Sequence, residues 1–149
     1  MILYIRGDQM EILKAKDKYV VRIDKGEEVI QCMKKFIEEE NVKAGSITGI
    51  GAADLIEAGL YNTAKKAYNS KIFEGDFEIT NFSGNITTKN GEHYLHMHIT
   101  FADENLKAYG GHLNNAIISG ACEIVVDVID ASIERELDED IKLNILKFN

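Results

Sequence analysis

Apolar residues follow two rhythms along this chain, and the switch between them sets the first expectations about its fold. Tyr19-Val20-Val21-Arg22-Ile23 is rich in β-formers, and the stretch from Met10 to Asp24 reads as two short strands around a turn at Lys16-Asp17-Lys18. The period then lengthens. Val29, Ile30, Met33, Phe36 and Ile37 form one helical stripe, Asp24 is placed to cap its start, and Glu27 and Glu28 fall in its first turn. The spacing predicts a helix that covers one face of a sheet and ends near Glu40-Asn41.

Beyond it the pattern is that of strands. Gly45–Gly51 leads into Ala53–Tyr61, followed by a polar connection over residues 62–70. Phe77–Ile86 runs up to Lys89-Asn90-Gly91, and Asn-Gly is a strong hairpin signal, so His93–Phe101 is expected as the antiparallel return strand. Ala121–Ile129 and Ile141–Phe148 read as further strands, and the acidic stretch Glu134–Asp140 as a solvated loop. With no internal repeat and no linker-like tract, the expectation is a single domain over residues 1–149. Its class is α+β (mixed), with a largely antiparallel sheet flanked by one main helix and a few short ones.

The 149 residues suffice to bury a core, and a composition of 45% hydrophobic and 28% charged residues is that of a soluble globular chain. No apolar run approaches the roughly 18–20 residues of a bilayer span, and the N-terminal residues do not form a signal peptide, so a cytoplasmic location is expected. Cys32 and Cys122 lie far apart without CxxC spacing and are expected as buried, reduced thiols. Net charge is −8, from 17 basic and 25 acidic residues. Nucleic-acid affinity draws on clustered cations, and here the lysines are scattered apart from Lys34-Lys35 and Lys65-Lys66, which disfavours direct DNA binding. Gly49-Ile50-Gly51 lacks the rest of a phosphate-binding loop because position 54 is Asp, and Ser119 has no nucleophile-elbow context.

All four histidines fall within twenty residues, His93 to His112. On a strand, side chains alternate between faces, so Leu95, Met97, Ile99 and Phe101 share the core face while His96 and His98 point together to the other. Their Cα atoms then stand about 6–7 Å apart, close enough for two imidazoles to converge on one ion. His93 has the opposite parity and reads as a surface bystander. His112 follows Gly110-Gly111, read here as a sharp turn, and is the remaining candidate for a third ligand. Three neutral imidazoles suit zinc or a similar divalent metal with one position open. The alternative is a pair of half-exposed strand histidines hydrogen-bonded to their neighbours.

The order and spacing of several segments resemble the PPC domain, conserved in plants and prokaryotes. The carriers are Gly49-Ile50-Gly51-Ala52 with Glu57-Ala58-Gly59-Leu60-Tyr61, Gly75-Asp76-Phe77-Glu78-Ile79, and Ser83-Gly84-Asn85-Ile86. The most specific are Leu95-His96-Met97-His98, Gly110-Gly111-His112-Leu113 and Glu123-Ile124-Val125-Val126. The resemblance covers nearly the whole chain and implies a homotrimer. In plants the domain is joined to Arg-Gly-Arg minor-groove hooks and serves assembly and contacts with regulatory proteins. Prokaryotic members are usually the domain alone, are assigned to DNA binding by kinship, and often keep the three histidines. Here no Arg-Gly-Arg is present, and Asp76 stands where the plant motif has Arg. His96, His98 and His112 are also similar to the zinc set of acetolactate decarboxylases.

Three function classes follow from these readings. One is a trimeric regulatory or interaction module. The second is a zinc-dependent enzyme, of lyase or hydrolase type, acting on a small carbonyl or carboxylate compound, with Glu57 as candidate carboxylate for proton transfer. The third is a sensor holding such a ligand at the metal without turnover. Tyr61 and Tyr68 read either as pocket walls or as packing residues at a sheet edge.

Overall fold

The computed structural model describes residues 2–6 and 10–148. In chain order the elements are β1 (Ile2–Arg6), β2 (Met10–Ala15), β3 (Lys18–Ile23), α1 (Val29–Glu39), β4 (Gly45–Asn62), β5 (Ala67–Lys89), β6 (Glu92–Ala102), β7 (Ala108–Val128), β8 (Glu134–Asp138) and β9 (Leu143–Lys147). All join one sheet, antiparallel throughout except for a single parallel pairing of β5 with β8 at Thr88 and Glu134. The α+β expectation with several helices is therefore corrected: 69% of the described residues are strand and 8% helix, and α1 is the one helix among them.

The physical reason is that the strands are far longer than their separate apolar runs suggested. Gly45–Gly51 and Ala53–Tyr61 are one 18-residue strand, kept continuous by bulges between Gly49 and Gly51 and between Ala53 and Leu55. The polar connection over residues 62–70 is a tight hairpin, with Lys66 in the left-handed region and Ala67 already paired to Asn62. Glu134–Asp138, expected as loop, pairs with Leu143–Lys147 as a β8–β9 hairpin. The Asn90-Gly91 turn forms as expected, both residues at positive φ, and Glu134 accepts both of their backbone N–H groups at 3.0 and 3.4 Å.

α1 forms where the 3.6-residue stripe predicts it, burying Val29, Cys32, Met33, Phe36 and Ile37. Its cap is Glu28 rather than Asp24. The Glu28 carboxylate accepts from the Ile30 and Gln31 N–H groups at 2.9 and 2.7 Å and from Ala116 N–H of β7 at 3.2 Å. Asp24 instead accepts from Arg22 Nε at 2.8 Å. The helix entry is thus stitched to β7, and its apolar stripe joins Ile56, Phe82, Ile99, Phe101 and Ile124 in one core.

β4, β5, β6 and β7 pair in a closed cycle. β6 pairs β5 from Glu92 to Ala102, then pairs β7 over His98–Ala102, while β7 runs on past His112 to pair β4. Closure removes free edges around the middle of the sheet and fixes the register of β6 against β7. No helix among the described residues is long and apolar enough to cross a membrane.

Cys32 and Cys122 are free thiols, 2% and 0% exposed. Burial pushes the Cys32 thiol up to about 11 and the Cys122 thiol up to about 12. In the native protein at mildly alkaline pH, neither is expected to react with an aromatic disulfide reagent, and both should react after denaturation. Fast native-state release of the chromophore would contradict this burial.

Candidate metal centre

The alternation along β6 falls as its sequence requires. Met97, Ile99 and Phe101 are 1%, 2% and 0% exposed, and His96 and His98 lie on the opposite face. The register of β6 on β7 sets His98 directly across from His112, so both side chains emerge on the same face, with His96 two residues back on the same strand. Ring centroids are 5.0 Å apart for His96 and His98, 5.2 Å for His96 and His112, and 5.6 Å for His98 and His112. One nitrogen from each lies within 4.8 Å of the others.

The third histidine does not arrive by a turn. Gly110 and Gly111 lie inside β7, and neither has the left-handed backbone seen at Gly26, Gly75 and Gly91. What these glycines supply is thinness. A Cβ at Gly111 would stand 2.7 Å from the Gly59 carbonyl oxygen, so β7 can lie this close to β4 only without a side chain there. Gly59, across from His112, is bare for a related reason: a Cβ there would overlap the Tyr68 hydroxyl at 2.0 Å. The Tyr68 ring crosses that gap and meets His112 edge-on, centroids 6.0 Å apart.

The donor set fits a divalent metal. Burial, helped by His112, His98 and Arg135, pushes His96 down to about 4, and burial with His98 also lowers His112. Both are neutral at physiological pH, the form that offers a lone pair to a cation. Tetrahedral zinc with bonds near ~2.1 Å needs nitrogens about 3.4 Å apart, a contraction that small imidazole rotations supply from the present spread. The group could therefore hold a metal ion, with His98 exposed and the other two half-buried.

Glu57 stands one step behind this group. Ser70 Oγ donates to its carboxylate at 2.6 Å and Asn114 Nδ2 at 3.3 Å, while the Tyr68 hydroxyl donates to Asn114 Oδ1 at 2.7 Å. A relay of side chains thus runs from Glu57 through Asn114 and Tyr68 to the edge of His112. The bonds from Ser70 and Asn114 hold the Glu57 carboxyl below its usual range, so it is ionised at neutral pH. His93, expected at the surface, is half-buried, and its Nε2 has no hydrogen-bond partner among the described residues. Its parity keeps it away from the other three.

The triad opens onto a cavity of about 920 Å³, walled by Tyr61, Tyr68 and Tyr94 and by apolar residues that include Leu60, Ile145 and Leu146. Both tyrosines singled out in the sequence line it. Arg135 also lines it, although the local sequence pattern predicts a solvated acidic loop there. The alternation Glu134, Arg135, Glu136, Leu137 carried the missing signal: a period of two puts Arg135 and Leu137 on one face of a strand.

The family model of the Plants and Prokaryotes Conserved (PCC) domain matches residues 10–130. A structure from Bacteroides thetaiotaomicron, described as a "putative DNA binding protein", is 37% identical, covers 95% of this chain and 99% of its own, and superposes with a TM-score of 0.92. A metal-containing protein from Archaeoglobus fulgidus is 29% identical, with 97% of this chain and all of its own covered, at a TM-score of 0.81. Acetolactate decarboxylase from Bacillus subtilis, 14% identical over 89% of this chain and 74% of its own, shares the fold at a TM-score of 0.53. No curated protein sequence matches the chain.

Proposed function

Because the chain belongs to the Plants and Prokaryotes Conserved (PCC) domain family, we propose that it is a metal-dependent member that binds a divalent, zinc-like ion through His96, His98 and His112 and presents it to a small ligand. The observation that carries this reading is the convergence of three ring nitrogens within 4.8 Å at the base of an open cavity. A three-histidine zinc leaves one coordination position free, where the ion supplies Lewis acidity toward a carbonyl or carboxylate oxygen. The chain's own contribution is shape and proton placement. Tyr68 stands against His112, held by Asn114, and Glu57, which orients Asn114 from behind, is the candidate carboxylate for proton transfer. With turnover this arrangement is a lyase- or hydrolase-type site; without it, a sensor.

Elemental analysis after zinc loading and desalting tests the proposal. About one ion per chain is expected, and a protein that retains none contradicts it. The metal-containing relative from Archaeoglobus fulgidus supports the reading.

A regulatory role is the second reading, favoured by the description of the Bacteroides relative as a DNA-binding protein. The charge of −8 argues for contact through partners rather than with phosphates. A mobility-shift assay at physiological salt is expected to show weak binding or none, and tight sequence-selective binding would overturn the charge argument. Homotrimerisation belongs to the same proposal. Exposed Val20, Ile50 and Val125 on one face of β3, β4 and β7 give copies of the chain an apolar surface to share. Light scattering should return three times the 16.7 kDa chain mass, and a monomer would rule the trimer out.

A further inference from the structure

Arg135 is 7% exposed, and among the described residues no Asp or Glu pairs with it. Its Nε donates to Thr87 Oγ1 at 2.8 Å, Nη1 to the Asn144 carbonyl at 2.8 Å and Nη2 to Asn85 Oδ1 at 2.7 Å, all neutral acceptors. A guanidinium has five N–H donors, so two remain unspent. Its face lies over the Tyr94 ring, 4.7 Å from the centroid. A buried charge without a counter-charge is costly, and proteins rarely keep one without use.

Its position supplies the use. Asn85, which holds Nη2, lies directly across the ladder from His96, and Tyr94 precedes His96 on the same face of β6. Arg135 and all three histidines line the same cavity, and among the described residues no Asp or Glu lines it. In an acidic protein, this is a cationic pocket. Its remaining wall, with Leu60, Leu143, Ile145 and Leu146, is aliphatic.

We infer that the Arg135 guanidinium is the anchor for the carboxylate of a short aliphatic acid whose neighbouring carbonyl or hydroxyl oxygen faces the three histidines. The inference rests on the metal reading above and adds the charge and class of the ligand. Two N–H groups match a carboxylate's two oxygens, and the apolar wall takes an alkyl chain better than it takes inorganic phosphate. Arg135 also ties the β8–β9 hairpin to β5. A purely structural role of that kind would not distinguish an acid from its amide.

The test is calorimetric titration of zinc-loaded protein with 2-oxobutanoate and with its neutral amide, after zinc content has been measured. The acid is expected to bind roughly ten- to a hundredfold more tightly, the range of a hydrogen bond to a charged group. In Arg135→Gln that preference should fall by about tenfold with zinc content unchanged, leaving only what the ion itself confers, and Arg135→Lys should restore part of it. Equal affinity of the wild type for acid and amide overturns the inference even if the variants fail to fold, and so does an undiminished preference in a folded Arg135→Gln. Absence of zinc uptake overturns the metal reading itself, whereas zinc uptake without acid preference overturns only the carboxylate assignment.

Discussion

The His96→Ala, His98→Ala double variant is expected to fold as the metal-free wild type does and to lose the thermal stabilisation that zinc confers. Both side chains leave the core face of β6, so their removal opens no cavity among Met97, Ile99 and Phe101. Binding to the native state alone stabilises by mass action, about 4 kcal/mol when free zinc is a thousandfold above its Kd. For a chain of this length that is a rise in Tm on the order of 10 °C. The wild type should show it on zinc addition, and the double variant should show none. An equal rise in both proteins would place the binding ion elsewhere.

Phe101→Ala is expected to be the most damaging single change in the same strand, lowering stability by about 3–5 kcal/mol. Phe101 is fully buried, and its ring packs against Phe73, Phe77 and Tyr109 with centroids 5.0, 5.3 and 5.7 Å away. It also pairs across the seam with Tyr109, the seam whose register sets His112 opposite His98. Loss of the ring should therefore weaken zinc binding as well as the fold. Thr100→Ala, on the exposed face one residue away, should shift stability by no more than about 0.5 kcal/mol. Denaturant melts read both, and similar midpoints for the two variants would contradict the packing described.

The parts of this structure legible in the sequence are those governed by one element's own period. The stripe from Val29 to Ile37 gave the helix, alternation along His93–Phe101 separated His96 and His98 from the core, and Asn90-Gly91 gave the hairpin. The missed features depend on which strand lies beside which. Gly110-Gly111 reads locally as a turn, and only the crowding of β7 against β4 shows that these residues are bare to let backbones approach. Glu28 caps α1 in place of Asp24 because its carboxylate also reaches β7, 88 residues on. Arg135 sits among acidic neighbours that signal solvent, and its burial comes from Thr87 and Asn85 on a strand nearly fifty residues away. Glu57 could be named as a carboxylate, but its link to His112 runs through Asn114 and Tyr68 from two other strands.

Everything proposed for this site depends on three histidines from β6 and β7 holding one metal ion. Crystals of zinc-loaded protein, measured on either side of the zinc absorption edge, test it most directly. One anomalous peak per chain is expected, about 2.0–2.1 Å from a nitrogen of each of His96, His98 and His112. A zinc-replete crystal with no peak at that position, or with its peak on other residues, would contradict it.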